Sequence, residues 1–138
     1  MSLRSHQFRK PSVYVAEAEH ERLFNLAMAN DSRGAALLED ELVRAIILKD
    51  GEYPRDFVRL HSLVEFTDLM TGRARRVQIV PPNEADIDQD RMSVISPVGA
   101  ALLGLKVGDS IGMSTDDGRA HVLQVGSVEN AAAAIASA

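Results

Sequence analysis

Two periods of hydrophobic residues divide the sequence near Pro54. From about Glu17 to Asn30, Leu23, Leu26 and Ala27 recur at helical spacing. Glu17, Glu19 and Glu21 stand near the start, where acidic side chains favour the positive end of the helix dipole. Asn30-Asp31-Ser32-Arg33-Gly34 is a turn cluster. A second helix is predicted from about Ala35 to Lys49. Ala35, Leu38, Leu42, Ala45 and Lys49 trace a stripe around Ile46, with Glu39, Asp40, Glu41 and Arg44 on other faces. Asp50-Gly51 closes it. Two helices of about 15 residues with a short connection imply an antiparallel hairpin, each arm ~22 Å long at 1.5 Å per residue. Ser12 to Val15, ahead of it, reads as extended.

After Pro54 the period shortens to that of strands. Leu63 to Thr67 alternates around Val64 and Phe66, Asp68 to Gly72 turns, and Arg73 to Val80 places Val77 and Ile79 opposite Arg76 and Gln78. Pro81 to Asp90 is a polar, acidic loop, and Met92 to Ile95 a third strand. Ser96 as N-cap, Pro97 at the first helical position and Gly104 just past the end frame a short helix. Val107-Gly108-Asp109 turns into a strand at Ser110 to Met113. Asp117-Gly118, a strong hairpin signal, leads into the last strand, Arg119 to Val128. Leu102, Leu103, Val107 and Ile111 are expected in the core. The fold class is therefore α+β: a short helical hairpin (1–53), a small antiparallel sheet carrying one short helix (54–130), and an Ala-rich tail (131–138).

Composition removes several chemistries. The net charge is −5, from 15 basic and 20 acidic residues, which argues against autonomous nucleic-acid binding, since that needs a basic patch. The absence of Cys excludes disulfides, Cys-ligated metals and a thiol nucleophile, and fits a reducing cytoplasm. No apolar run approaches the ~20 residues that cross a bilayer, and the N-terminus has no apolar secretory core. With two Tyr, four Phe and no Trp, a base-stacking platform is poorly supplied.

The candidate catalytic motifs fail on spacing. Gly99-x-x-x-x-Gly104 is followed by Leu105 where a phosphate loop needs Lys, with Lys106 one place late. His20-Glu21 lacks the second His of a zinc-protease helix, since Phe24 stands there. His6, His20, His61 and His121 show no ligand spacing, and no Gly-x-Ser-x-Gly elbow exists. Glu84, Asp86, Asp88 and Asp90 lack the Gly and terminal Glu of a calcium loop, and read as a solvated or partner-facing loop. Arg73, Arg75 and Arg76 form a basic strand, either a solvated face or a contact for an acidic partner. No catalytic, cofactor or metal site emerges. The chain reads as a binding module in which a hairpin projects from a small β domain.

One run is more specific. Ile95-Ser96-Pro97-Val98-Gly99-Ala100-Ala101-Leu102-Leu103-Gly104-Leu105-Lys106-Val107-Gly108-Asp109-Ser110 closely resembles the signature of the C-terminal domain of the Gre transcript-cleavage factors. Val77 to Asp86 fits the same pattern at the expected distance. Within that superfamily, the length, the Ser12–Val15 segment and the short helices most resemble the branch described as regulators of nucleoside diphosphate kinase.

The resemblance implies an FKBP-like C-terminal domain and a coiled-coil-like N-terminal hairpin. It also implies docking on RNA polymerase at the rim of its secondary channel. Carried over residue by residue, the docking surface is Ser96, Pro97, Val98 and Gly99, with Glu84 and Asp86 nearby. The hairpin tip is Asn30, Asp31 and Arg33. In Gre factors a longer hairpin brings tip acids to a catalytic magnesium. Here the arms are short, and Asp31 is the single carboxylate between Asn30 and Gly34, with Arg33 offsetting it. Asp31 is either a turn-forming residue or a functional tip acid. The expectation is a monomeric, cytoplasmic regulator that binds polymerase without cleaving RNA and competes with Gre-type factors. The alternatives are regulation of nucleoside diphosphate kinase, and an FKBP-like prolyl isomerase, for which only Phe57 and Phe66 supply aromatic surface in the β domain.

Overall fold

The computed structural model describes residues 11–49, 56–115 and 117–130. Strand β1 (Tyr14–Ala16) leads directly into helix α1 (Glu17–Met28), which is followed by α2 (Arg33–Val43) and strand β2 (Ile46–Leu48). Helix α1 has no side-chain N-cap, so Glu17 and Glu19 in its first turn supply the favourable end charge. Helix α2 is capped by Ser32, whose hydroxyl accepts from the Ala35 amide at 3.1 Å.

The second helix is shorter than its stripe predicts, and α1 stops two residues before Asn30. Helix α2 ends at Val43, and Ile46-Ile47-Leu48 pairs in parallel with Tyr14-Val15-Ala16. The Ile46 amide donates to the Val13 carbonyl at 2.8 Å. A β-branched pair beside an open strand edge gains more from that ladder than from another helical turn. The helices therefore have 12 and 11 residues, against the expected 15. Asp50-Gly51 and the Pro54 junction lie outside the described residues.

The second half is a five-stranded sheet with order β5-β4-β3-β7-β6. Its strands are β3 (Leu63–Asp68), β4 (Arg73–Val80), β5 (Arg91–Ser93), β6 (Ser110–Ser114) and β7 (Ala120–Glu129). The sheet is not wholly antiparallel as expected. Strand β5 runs parallel to β4, with Gln78 opposite Arg91 and Val80 opposite Ser93. The acidic loop makes this possible, crossing back through two 3-10 turns at Pro82–Glu84 and Ile87–Gln89. Helix α3 (Pro97–Leu102) follows, and Gly104 (φ +81°) ends it. The β6–β7 hairpin forms around Asp117-Gly118 as its sequence predicts.

One hydrophobic core runs through both halves. Leu23 and Ala27 of α1 and Leu38 and Leu42 of α2 join Val58, Val64, Val77 and Val125 around Ala100, Ala101 and Leu102 of α3. The hairpin thus lies packed on the β half rather than projecting from it. Fully burying each of those leucines contributes about 1.5–3 kcal/mol, which outweighs the hydration an extended arm would keep. Leu102, Leu103 and Ile111 are buried as expected, but Val107 is 52% exposed, carried outward by the turn at Gly108. Among the described residues, no helix is long and apolar enough to cross a membrane.

Candidate functional site

The N-terminus of α3 is built by two serines. The Ser96 hydroxyl accepts from the Gly99 amide at 3.1 Å and donates to the Ser93 carbonyl at 2.7 Å, while Ser93 accepts from the Ile95 amide at 3.2 Å. Pro97 takes the first helical position, where its missing N–H costs nothing. Gly99 is a packing residue: a Cβ there would stand 2.1 Å from the Ser93 carbonyl oxygen. Gly99 is therefore buried, and Ser96, Pro97 and Val98 face outward in part.

Those three border an apolar groove of about 670 Å³. Val77 and Met92 line it from the sheet, Pro97 and Val98 from α3, and Thr115 and Asp117 from the β6–β7 hairpin. Ile87, in the acidic loop, also lines the groove and is 87% exposed, a large apolar side chain held in water. Asp86 fixes it there. Its carboxylate accepts from the Asp88 amide and from the Gln89 side-chain amide, both at 3.1 Å, and its backbone bridges to Arg91.

The remaining sequence-predicted residues are spread wider. Glu84 turns to His61, whose Nε2 lies 3.0 Å from its carboxylate, and does not line the groove. The Asn30 side-chain amide donates to the Leu26 carbonyl at 2.8 Å, closing α1, and Asp31 and Arg33 are exposed. The tip nevertheless sits close to the Ser96 motif, because Gly34 packs directly on the Ile95–Ser96 backbone. The carboxylates of the acidic loop do not converge: among the described residues no group of three or more His, Cys, Asp or Glu is placed to hold a metal ion.

A second cavity, about 280 Å³, shares Arg75, Val98 and Thr115 with the groove. It is lined by an Asp68–His121 pair, with Nδ1 of His121 donating to the Asp68 carboxylate at 2.7 Å. Burial pushes the Asp68 carboxyl upward. The hydrogen bonds from His121 and from the Met70 amide outweigh that and hold it below its ordinary value. Asp117 is likewise held down, first by the Thr115 hydroxyl and then by the Arg119 amide.

The basic strand splits by face. Arg76 lies outside and pairs with Glu129 at 3.4 Å, whereas Arg73 and Arg75 share the face of buried Val77. Sequence reasoning did not find Met92, Thr115, Asp117 or the Asp68–His121 pair, whose members meet only through the β3–β7 register. Ile87 carried a signal, a lone isoleucine among acidic residues.

Residues 53–130 match the family described as transcription elongation factor GreA/GreB, C-terminal. The chain belongs to the GreA/GreB family. It is 36% identical over 119 residues to the regulator of nucleoside diphosphate kinase of Escherichia coli K12, covering 84% of this chain and 88% of that protein. The transcription inhibitor protein Gfh1 of Thermus aquaticus is 42% identical over 84 residues, 59% of this chain and 52% of that protein. Among solved structures, the prokaryotic transcription elongation factor GreA/GreB from Nitrosomonas europaea superposes with a TM-score of 0.69 at 30% identity, over 88% of this chain and all of that one. The groove and the Ser96 motif lie within the stretch matched to the GreA/GreB family.

Proposed function

We propose that this GreA/GreB-family chain is a non-enzymatic, cytoplasmic transcription regulator. It docks as a monomer on RNA polymerase near the secondary channel and competes with Gre-type factors without promoting transcript cleavage. In this reading residues 54–130 form an FKBP-like docking domain, with Ser96, Pro97, Val98 and Gly99 at its contact surface and Glu84 and Asp86 supporting it. Residues 1–53 carry the hairpin. The observation that carries the reading is the apolar groove beside the Ser96 motif, rimmed by an isoleucine left 87% exposed. Solvating a large apolar side chain is unfavourable unless a partner covers it.

The absence of cleavage rests on length and charge. A helix of 12 residues spans about 18 Å, and the hairpin is packed on the β half instead of reaching outward. A second magnesium ion needs several hard oxygen ligands. The tip offers Asp31 with Arg33 two residues away. Among the described residues no aromatic side chain lines the groove, which counts against the prolyl-isomerase reading.

The test is binding of the purified chain to core bacterial RNA polymerase, with a full-length Gre factor as competitor. Saturable binding displaced by the competitor, with no shortening of RNA in a stalled complex, is the expected result. Failure to bind at tens of micromolar would overturn the reading. A second reading, regulation of nucleoside diphosphate kinase, is favoured by the name of the E. coli relative. Purified kinase assayed with and without the chain decides it: an unchanged rate removes direct regulation.

A further inference from the structure

The inner face of the sheet changes character along its strands. At one end Val64, Val77 and Val125 are buried in the core with α3. Past Phe66 and Leu123 the same face continues into Arg75, Arg73, Asp68 and His121, because Phe66 pairs with Arg75 and Asp68 with Arg73. Helix α3 has six residues, and its first turn, at Val98, borders this polar end without closing it. What remains is the smaller cavity, which shares Arg75, Val98 and Thr115 with the apolar groove.

Three arginines and three aspartates line the two cavities, and they do not pair with one another. Asp68 is satisfied by His121 at 2.7 Å, and Asp117 pairs with Arg119 at 3.5 Å. Arg73, Arg75 and Arg91 form no ion pair among the described residues. Asp90, which also lines the groove, forms no ion pair among the described residues. Three guanidinium groups are thus left without an ion pair beside the free carboxylate of Asp90. A guanidinium beside an apolar groove is suited to a carboxylate, which it grips through two parallel hydrogen bonds at short range.

We propose that this surface recognises a protein segment carrying an apolar residue next to an acidic one. The apolar side chain enters the groove between Met92 and Val98, and its neighbouring carboxylate is taken by Arg75 with Arg73 behind it. The proposal rests on the docking reading above and deepens it, by giving the chemistry of the docked segment. Arg75 is the specificity residue because it lines both cavities. Arg76, on the opposite face, takes no part.

The experiment is a selection of displayed short peptides on the full chain, followed by binding measurements with the recovered sequences. Enrichment of Asp or Glu beside Leu, Ile, Val, Met or Phe is expected. Replacing that acid by its amide, or Arg75→Gln in the chain, should weaken binding about tenfold, the scale of one charge-assisted pair. Arg76→Gln should leave it unchanged, and nuclear magnetic resonance shifts should centre on the Met92 methyl and the Arg75 Nε–H. Recovery of no peptide, absence of an acidic preference, or shifts centred elsewhere would overturn the proposal. Core polymerase separates it from the docking reading. Equal binding of wild type and a folded Arg75→Glu variant to polymerase sinks this proposal alone. Peptide binding without polymerase binding sinks the docking reading alone.

Discussion

Gly34 at the start of α2 and Ile95 at the entry to α3 are in backbone contact: a Cβ on Gly34 would stand 1.8 Å from the Ile95 carbonyl oxygen. This contact seats the hairpin tip on the Ser96 motif and joins the two halves of the sequence at the edge of the candidate site. Gly104 makes a similar approach to Val13, where an added Cβ would lie 2.2 Å from Cγ1.

Gly34→Ala follows from that distance. Alanine favours a helix over glycine by about 1 kcal/mol, but the clash is with backbone and cannot be relieved by a rotamer. Overpacking of this kind costs about 3 kcal/mol, so the variant is expected to be less stable by about 2 kcal/mol. Urea denaturation measures it; a gain in stability would mean that the tip does not rest on Ile95.

Ser96→Ala removes a cap that satisfies the Gly99 amide and binds the Ser93 carbonyl. A loss of about 1 kcal/mol is expected, with Ser96→Thr retaining most of it because the hydroxyl remains. Thermal melts of the three proteins compare them directly. Equal stability of all three would show that the cap is not formed.

Ile87→Asp tests the groove without touching the core. Ile87 is 87% exposed, so stability should change by less than about 0.5 kcal/mol. Binding to core polymerase should weaken about tenfold or more, the cost of placing a charge in an apolar contact. Unchanged affinity would remove Ile87 from the docking surface.

Asp68 gives a pH dependence whose sign is fixed. Its native value is depressed by His121 and the Met70 amide. The carboxylate therefore contributes stability that is present above the ordinary range near pH 4 and is lost as pH falls through the native value. Glu19, raised by burial against the pull of Arg59, titrates in the opposite sense, so the comparison must be with Asp68→Asn. The wild-type advantage over that variant should be full between about pH 5 and 7 and shrink towards pH 3. Denaturation at several pH values reads it, and a constant difference would contradict the Asp68–His121 pairing.

The elements most legible in the sequence carry their signals locally. Ser96, Pro97 and Gly104 specify a cap, a first turn and a stop within nine residues, and α3 forms there. Asp117-Gly118 specifies its hairpin in the same way. Ser12 to Val15 was visible as extended, but its partner was not. Ile46-Ile47-Leu48 fits a helical stripe as well as a strand, and only the open edge of Tyr14–Ala16 resolves the choice. The parallel pairing of β5 with β4 had no local mark either.

The candidate site divides along the same line. By itself the sequence determined the Ser96 motif, the basic strand and the family resemblance, because these depend on residue type and spacing over a few positions. Tertiary structure alone decided that Arg75 and Arg76 face opposite sides with different partners, that Asp68 meets His121 across 53 residues, and that Ile87 lies beside the groove. It also decided that the hairpin folds onto the β half. These outcomes depend on which buried surfaces and strand edges find one another, a competition among distant segments that no local pattern records.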